Sequence, residues 1–353
     1  MDVVYPFIFA ATKVLRIKMI THESSLENFT EQFDYVLNNY APHSLSVSNF
    51  DNIVLGGLGG SGIGAIIAKN WFFDKCPIPI ESIADYHLPK FTNDKTLVVL
   101  NSYSGNTEET IQMFDDAKNA GAHIIVITSG GKLLELAKGN ELFTILLPTG
   151  YQPRMTIGLG LSFLSLIIGE LIGEDLLPEI KRIKEGFEEN SERQKESGES
   201  IFEFFKGNLK NKFVIVADRQ FAPIATRFTQ QLNENSKLEG FVNVLPESNH
   251  NVIESYTDRL HTNFIMLYST ENERVTARFD FLISHLELEN NKVLPMQIPE
   301  YSLYSIFDVI YRLDWVSVFF ANELGSNLME VPIIMNLKGY LSMLEIVHSD
   351  EEE

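Results

Sequence analysis

The stretch TLVVLNSYSGNTEET, residues 96–110, decides the fold of this chain. Residues 97–100 are a short apolar run with two valines, which is typical of a strand buried on both faces of a parallel sheet. Glu108 and Glu109 then open an amphipathic helix, and Thr107 suits its N-cap position. The stretch therefore predicts a buried strand, a polar loop and a helix in that order.

The loop between the predicted strand and helix, residues 101–107, is dense in hydroxyl and amide side chains. Ser102, Ser104 and Thr107 can each donate a hydrogen bond to a phosphate oxygen, and the free backbone amides of a helix N-terminus add to them. The alternative is an ordinary turn that Thr107 caps. The density of hydroxyl groups favours a phosphate site.

A second loop, GLGGSG at residues 57–62, follows an earlier predicted strand and fits the pattern G-x-G-x-x-G. Glu81 follows about 20 residues later, where a dinucleotide-binding fold carries an acid. This pattern alone favours an NAD-dependent dehydrogenase, which has no need of the hydroxyl-rich loop at 101–107. Two such loops after neighbouring strands favour one phosphomonoester, held by Gly60 and Ser61 on one side and by the hydroxyl-rich loop on the other.

The composition limits the class of protein. The chain has 353 residues and a formal net charge of −20, with a sequence pI of about 4.8. This acidic balance argues against nucleic acid and anionic membranes as partners. The single cysteine, Cys76, excludes an internal disulfide and favours a cytoplasmic protein. No apolar run reaches the ~20 residues that span a bilayer, and no zinc-site spacing of histidines or cysteines occurs.

Strands and helices alternate along the chain, which predicts an α/β fold with two doubly wound domains, residues 1–178 and 179–353. Residues 1–18 are expected to form an extension or an extra strand, and the acidic C-terminal tail is expected to fray. The predicted strands are residues 52–55, 78–83, 96–100, 123–128, 142–147, 212–217, 240–244, 264–268 and 292–296. The predicted helices are residues 25–40, 63–73, 108–117, 156–172, 179–200, 222–238, 271–287, 306–323 and 333–345.

Two of these helices bear on oligomeric state. Residues 156–172 are apolar almost all round, which indicates burial between domains or subunits. The helix at 306–323 is rich in aromatic residues, including Trp315, Phe319 and Phe320. We expect these surfaces to form a homodimer. The charge-rich helix at 179–200 is expected to be a solvated linker between the halves.

Several motifs follow one another along the chain in the order found in a known family, which makes a resemblance specific. GGSGIG followed by SYSGNTEET resembles the sugar isomerase (SIS) domain superfamily, and residues 20–345 resemble its bifunctional phosphoglucose/phosphomannose isomerases. The further motifs are QPRMTIGLG at 152–160, LNENSK at 232–237, ESNHN at 247–251 and NLKGYL at 336–341. The resemblance implies an aldose–ketose isomerase that needs no metal and no cofactor. Such an enzyme would interconvert glucose 6-phosphate, and by the family pattern also mannose 6-phosphate, with fructose 6-phosphate.

The chemistry of these residues agrees with such a reaction. Isomerisation needs a base that carries a proton between C1 and C2, and a carboxylate such as Glu234 can do this. Arg227 and Gln230 are expected on the same helix face as Glu234. The alternative for Glu234 is an exposed acid at a helix end, paired with Lys237.

The resemblance assigns the remaining roles. Arg154 would stabilise the enediolate, with a surface salt bridge as its alternative. His250 would serve ring opening, from its own subunit or across the dimer interface, and Lys338 would assist it. Both are otherwise expected to be solvated side chains. A second hypothesis is a non-catalytic phosphosugar sensor, which would need the hydroxyl-rich loop but no base.

The chain departs from the family pattern at two places. Residues 217–220, ADRQ, lack the glycines of relatives, which favours a single phosphate site in the first domain. Before Lys338, residues 325–335 read GSNLMEVPIIM, where relatives carry a Pro-Thr-Pro-like turn. Asn327, Met329 or Glu330 then replaces the threonine that accommodates both configurations at C2. This departure bears on mannose 6-phosphate more than on glucose 6-phosphate.

Overall fold

The computed structural model describes residues 20–257, 261–289 and 291–349, with side chains described up to residue 343. The expected N-terminal extension, residues 1–18, and the end of the acidic tail lie outside the described residues. Among the described residues, no helix is long and apolar enough to cross a membrane.

The first half of the chain forms a five-stranded parallel sheet with the order β2-β1-β3-β4-β5. In chain order its strands are β1 Asn52–Gly56, β2 Ile80–Ile83, β3 Thr96–Asn101, β4 His123–Thr128 and β5 Phe143–Leu146. Gly56 at the end of β1 pairs with Leu100 near the end of β3. The loops that follow these strands therefore begin side by side, at the point where the strand order reverses and ligands bind in such sheets.

Six helices surround this sheet. They are α1 His22–Glu27, α2 Thr30–Asn39, α3 Gly59–Trp71, α4 Glu108–Asn119, α5 Gly131–Gly139 and α6 Ile157–Leu171. The prediction of one helix at 25–40 was wrong, because Asn28 ends α1 by donating to the Ser24 carbonyl from its backbone and its side chain. Thr107 is the N-cap residue of α4, as predicted.

Helix α6 is buried on nearly every side within its own chain, where it packs against α2 and α3. The aromatic helix of the second half, α10 Leu303–Leu324, is likewise mostly buried in the same chain. The expectation that these helices form a dimer surface was therefore wrong. Their apolar sequences do indicate burial, but these helices are buried by other elements of the same chain.

Helix α7 Leu177–Phe205 connects the two halves and packs against α2 and α10. The expectation of a solvated linker was wrong for one face, since Ile180, Ile183 and Phe187 are fully buried. These residues recur at helical spacing, and the charged residues occupy the opposite face. The predicted domain boundary after residue 178 lies near the start of this helix and stays a prediction.

The second half forms a four-stranded parallel sheet with the order β7-β6-β8-β9. Its strands are β6 Lys212–Asp218, β7 Gly240–Leu245, β8 Thr262–Ser269 and β9 Lys292–Ile298. Around them lie α8 Ala222–Gln231, α9 Glu273–Leu288 and α10, and α11 Pro332–Ser349 ends the described chain. The order repeats that of the first four strands, so the doubly wound α/β prediction is confirmed.

The strand order also bears on the dehydrogenase alternative. The first sheet has the flavodoxin-like order, whereas dinucleotide-binding folds have the order 3-2-1-4-5-6. Glu81, the acid expected to hold a ribose, instead binds Lys69 Nζ through its carboxylate at 2.6 Å. The strand order and this ion pair therefore argue against a dinucleotide-binding loop at residues 57–62.

Candidate active site

The loops that follow β1 and β3 are tied together at the edge of the first sheet. Ser61 Oγ accepts a hydrogen bond from the Tyr103 amide at 3.1 Å, and Asn101 Nδ2 donates to the Ser61 carbonyl at 3.2 Å. Both bonds join one loop to the other. The two loops therefore form one rigid cradle.

Three hydroxyl groups of this cradle have hydrogens free to donate within the described chain. Ser102 Oγ donates to Thr107 Oγ1 at 3.1 Å and accepts from the Gly105 amide at 3.2 Å. Ser104 Oγ accepts from the Asn106 amide at 3.3 Å. Within the described chain, the hydroxyl hydrogens of Ser61, Ser104 and Thr107 bind nothing else. The helices α3 and α4 also begin here, with amide groups and positive dipole ends that favour negative charge.

Gly60 joins this cradle to the next part of the site. A Cβ atom at Gly60 would lie 2.6 Å from the Pro153 carbonyl carbon and 2.7 Å from the Arg154 amide nitrogen. Only glycine allows this approach without a backbone shift. The cradle therefore contacts the turn Pro153–Met155, which carries Arg154.

Arg154 is buried, with 5% of its surface exposed, and all three of its nitrogens are bonded. Nε donates to Asn235 Oδ1 at 3.0 Å, Nη1 to Glu234 Oε2 at 3.1 Å and Nη2 to the Leu328 carbonyl at 2.6 Å. Burial lowers its pKa, and the charge of Glu234 opposes that effect. The alternative of a surface salt bridge for Arg154 was wrong.

Glu234 lies on a π-helical turn, Leu232–Ser236, directly after α8. Such turns are rare and are frequent at functional sites. The Glu234 side chain remains 27% exposed while it contacts Arg154. The proposed base is therefore open to a substrate on one side and held by a cation on the other.

The alternative pairing of Glu234 with Lys237 was wrong. Lys237 Nζ donates to the main-chain carbonyl of Glu234, and to the carbonyls of Asn327 at 3.0 Å and Glu330 at 2.9 Å. It therefore fastens the segment 327–330 against the site. Gln152 adds a further bond to this segment, through the Met329 carbonyl at 2.9 Å.

Arg227 was predicted to share a helix face with Glu234, but its side chain binds other residues. Arg227 is buried, and its Nη2 binds Asp314 Oδ2 at 2.5 Å and the Arg154 carbonyl at 3.0 Å. Removing one partner of such a buried pair leaves an uncompensated charge. Arg227 therefore holds the backbone of Arg154 in place through the bond to its carbonyl group.

His250 and Lys338 lie outside this cluster. His250 ends the 3₁₀ turn Glu247–His250 after β7 and is exposed, and Lys338 is exposed on α11. Among the described residues, neither side chain bonds to Arg154 or Glu234. The structure thus brings together Arg154, Glu234 and the cradle of Gly60, Ser61, Ser102, Ser104 and Thr107.

Within the described residues, the second sheet has no equivalent cradle at its own switch point. Asp218, at the end of β6, accepts hydrogen bonds from the amides of Phe221 at 2.8 Å and Ser269 at 2.6 Å. Burial raises the pKa of this carboxyl group, although the amide bonds oppose the shift. The Asp218 carboxylate thus occupies the amides that an external anion would need, and the single phosphate site stays a prediction.

Sequence reasoning missed two buried polar residues near Arg154. Gln32 binds the Met155 carbonyl and the Leu159 amide, at 2.9 and 3.1 Å, and so fixes the start of α6. His22 Nε2 lies 3.3 Å from Asn235 Nδ2. Neither has a local sequence pattern, because their partners lie more than 100 residues away. Among the described residues, no group of three or more His, Cys, Asp or Glu is placed to hold a metal ion.

Comparison with solved structures agrees with this fold. The chain is similar to the C-terminal domain of glucosamine-fructose-6-phosphate aminotransferase from Francisella tularensis, with a TM-score of 0.68. That likeness covers 88% of this chain and 98% of the other, at 14% sequence identity. Such low identity bears on the fold alone.

Comparison with known sequences identifies the family. Residues 195–341 match the family model for the bacterial phospho-glucose isomerase C-terminal SIS domain. A D-glucosamine-6-phosphate 4-epimerase from Sulfolobus acidocaldarius is 34% identical over 62% of this chain and 68% of its own. A bifunctional phosphoglucose/phosphomannose isomerase from Caldicellulosiruptor bescii is 32% identical over 91% of this chain and 99% of its own. The chain therefore belongs to the family of bifunctional phosphoglucose/phosphomannose isomerases.

Proposed function

We propose that this enzyme interconverts glucose 6-phosphate and mannose 6-phosphate with fructose 6-phosphate through a cis-enediol. The observation that carries the proposal is the contact between Glu234 and Arg154 beside a phosphate cradle. A sensor would need the cradle alone. A buried arginine held against a partly open carboxylate supplies the base and the electrophile of an isomerase.

The phosphate group would bind first. Ser61, Ser104 and Thr107 would donate their free hydroxyl hydrogens to its oxygens, and Ser102 would hold Thr107 in place. The amides at the start of α3 and α4 would add further donors. In a chain of net charge −20, these local donors are what holds an anionic substrate.

Glu234 would then move the proton. It takes the proton from C2 of the open-chain aldose, and the C1 carbonyl oxygen becomes an enediolate oxygen. A proton passes from O2 to O1, and Glu234 returns its own proton to C1, which leaves the carbonyl at C2 of the ketose. Arg154 Nη1 lies 3.1 Å from the Glu234 carboxylate. Oxygens on the reacting carbons therefore fall within reach of the guanidinium, which stabilises their developing charge.

Ring opening would depend on His250 and Lys338. Both side chains are exposed and lie outside the Arg154–Glu234 cluster of their own chain. In a homodimer they would reach the sugar bound to the other subunit. Helix α11 supports a homodimer, because Ile333 is 82% exposed and Tyr340 is 60% exposed. Large apolar side chains exposed together mark an interaction surface. We also propose that the enzyme is located in the cytoplasm.

The segment 327–330 would set the choice between sugars. Glucose 6-phosphate and mannose 6-phosphate differ only in configuration at C2, and the planar enediol is common to both. The segment contacts Arg154 and Lys237 through its carbonyl groups. We propose that its side chains, Asn327, Met329 and Glu330, would contact C2 and so distinguish the two configurations.

A turnover assay with matched variants tests the proposal. Purified enzyme should convert both sugar phosphates to fructose 6-phosphate without added cofactor or metal. Glu234→Gln should lose at least about 100-fold in kcat, as expected for removal of a general base. Glu239→Gln is the control, since Glu239 is an exposed acid nearby that pairs with Lys212.

Three results would count against the proposal. No turnover of either sugar would reject the isomerase function. A loss below tenfold in Glu234→Gln would reject Glu234 as the base. A product changed at C4 would instead favour the chemistry named for the Sulfolobus acidocaldarius relative.

A further inference from the structure

A buried histidine, His22, lies beside the Arg154–Glu234 pair and has no role in the chemistry described so far. It is the first residue of α1, and 1% of its surface is exposed. Helix α1 packs against the Arg154 turn and against α10. Burial, followed by the charges of Arg154 and Arg227, lowers the pKa of His22 to about 3. The imidazole is therefore neutral wherever a cytoplasmic enzyme would operate.

The contacts of Asn235 fix which way its amide points. Oδ1 accepts from Arg154 Nε at 3.0 Å, and an arginine nitrogen can only donate. Nδ2 donates to Ser317 Oγ at 2.9 Å, and that hydroxyl gives its own hydrogen to the Asp314 carbonyl at 2.6 Å. Ser317 can therefore only accept from Asn235. A flipped amide would set donor against donor at Arg154.

The second hydrogen of the Asn235 amide group points at His22. Nδ2 lies 3.3 Å from His22 Nε2, so this imidazole nitrogen must be the acceptor. The proton of the neutral ring then lies on Nδ1, a buried nitrogen with no hydrogen-bond partner among the described residues. A protonated ring, or the other neutral form, would oppose the amide hydrogen.

We propose that His22 is a positioning residue, which together with Ser317 holds the Asn235 amide and through it orients the Arg154 guanidinium beside Glu234. This inference rests on the proposed function of Arg154 and Glu234. Arg154 has its other bonds to Glu234 and to the Leu328 carbonyl. Its Nε bond to Asn235 is therefore the contact through which His22 can act on it.

Two variants of His22 test the inference. His22→Leu fills the space but offers no acceptor, whereas His22→Gln places an amide oxygen near the position of Nε2. We expect His22→Leu to lose about tenfold in kcat with KM within twofold, because Arg154 acts on the enediolate and not on the bound sugar. We expect His22→Gln to keep at least about a third of kcat, because its oxygen can accept from Asn235.

The same assay includes Glu234→Gln, which separates this inference from the proposed function. Full kcat in His22→Leu beside a large loss in Glu234→Gln would overturn the role of His22 alone. Equal losses of kcat in His22→Leu and His22→Gln would also overturn it. A residue that only fills space would be replaced equally well by a side chain with or without a hydrogen-bond acceptor. No loss in Glu234→Gln would overturn the proposed function first.

A measurement independent of activity and of variant folding completes the test. Nitrogen-15 NMR of the wild-type enzyme reports which imidazole nitrogen carries the proton. The inference expects the Nδ1–H form of His22, unchanged from pH 8 to pH 5. An Nε2–H form, or protonation of His22 by pH 5, would overturn it.

Discussion

The contact between Gly60 and the Arg154 turn leads to a sharp prediction for Gly60→Ala. The new Cβ would lie 2.6 Å from the Pro153 carbonyl carbon and 2.7 Å from the Arg154 amide nitrogen. Ordinary contacts begin at 3.4 Å, so the peptide group would have to retreat by about 0.8 Å. All of the opposing atoms belong to the backbone, and no side-chain rotation can relieve them.

The size of the effect follows from what the turn carries. Overpacking of this kind costs about 1–3 kcal/mol of stability. The retreat also moves Arg154 away from the cradle, and a displacement of about 1 Å at an active site can cost about 100-fold in rate. We therefore expect Gly60→Ala to lower kcat/KM by about 30- to 100-fold and to destabilise the fold by about 1–3 kcal/mol.

Gly64→Ala on the same helix is the matched control. Its Cβ would lie 3.7 Å from Leu161 N and from Leu164 Cδ1, which is ordinary van der Waals contact, and alanine favours a helix interior over glycine by about 0.5–1 kcal/mol. Kinetics with glucose 6-phosphate and urea unfolding of both variants measure the two effects. Wild-type kcat/KM in Gly60→Ala, or an equal loss in Gly64→Ala, would refute the coupling between the cradle and Arg154.

Three further predictions concern stability and mobility. Below about pH 6.5 His22 takes up a proton in the unfolded chain but stays neutral in the folded protein, so acid favours unfolding. Lowering the pH from 7.5 to 5.5 should therefore reduce the free energy of unfolding of the wild type by about 1.4 kcal/mol more than that of His22→Gln, as measured by urea unfolding. Equal reductions in the two proteins would contradict this prediction. Asp218→Asn should destabilise by about 1–3 kcal/mol in the same assay, because it sets an amide hydrogen against a backbone N–H, and unchanged stability would refute that. Lys237→Met should speed proteolytic cleavage within residues 327–330, measured by mass spectrometry, and an unchanged rate would show that other contacts hold the segment.

The sequence predicts local features of this protein well. The strand, loop and helix of residues 96–110 follow from an apolar run, a hydroxyl cluster and an N-cap, all of which act within a few residues. The strands β4 His123–Thr128 and β6 Lys212–Asp218 were predicted within one residue. Alternation of such units then specifies parallel sheets, since successive parallel strands need helical crossovers.

Contacts between distant residues could not be predicted in the same way. Arg154 meets Glu234 across 80 positions, and Arg227 meets Asp314 across 87. The π-helical turn at Glu234 also breaks the periodicity on which the same-face prediction depended. The resemblance to known isomerases singled out Arg154 and Glu234, but His22 and Asp314 carry no motif and emerge only from the packing.

Burial of an apolar helix was predicted, but what buries it was not. The sequence of α6 is equally compatible with a neighbouring subunit and with its own chain, because hydrophobic burial is non-directional. In contrast, α11 carries several exposed apolar side chains, including Met335 and Met343. The exposed apolar surface on which our homodimer proposal rests is therefore on α11, at the end of the described chain.

The central claim is that Glu234 carries a proton between C1 and C2 of a bound sugar phosphate. The most direct test is proton NMR of glucose 6-phosphate and of mannose 6-phosphate, each incubated with the enzyme in D₂O. The account predicts deuterium at C2 of both sugars together with fructose 6-phosphate, and neither with Glu234→Gln, while Glu239→Gln behaves as the wild type. Deuterium incorporation by Glu234→Gln at the wild-type rate would contradict the account.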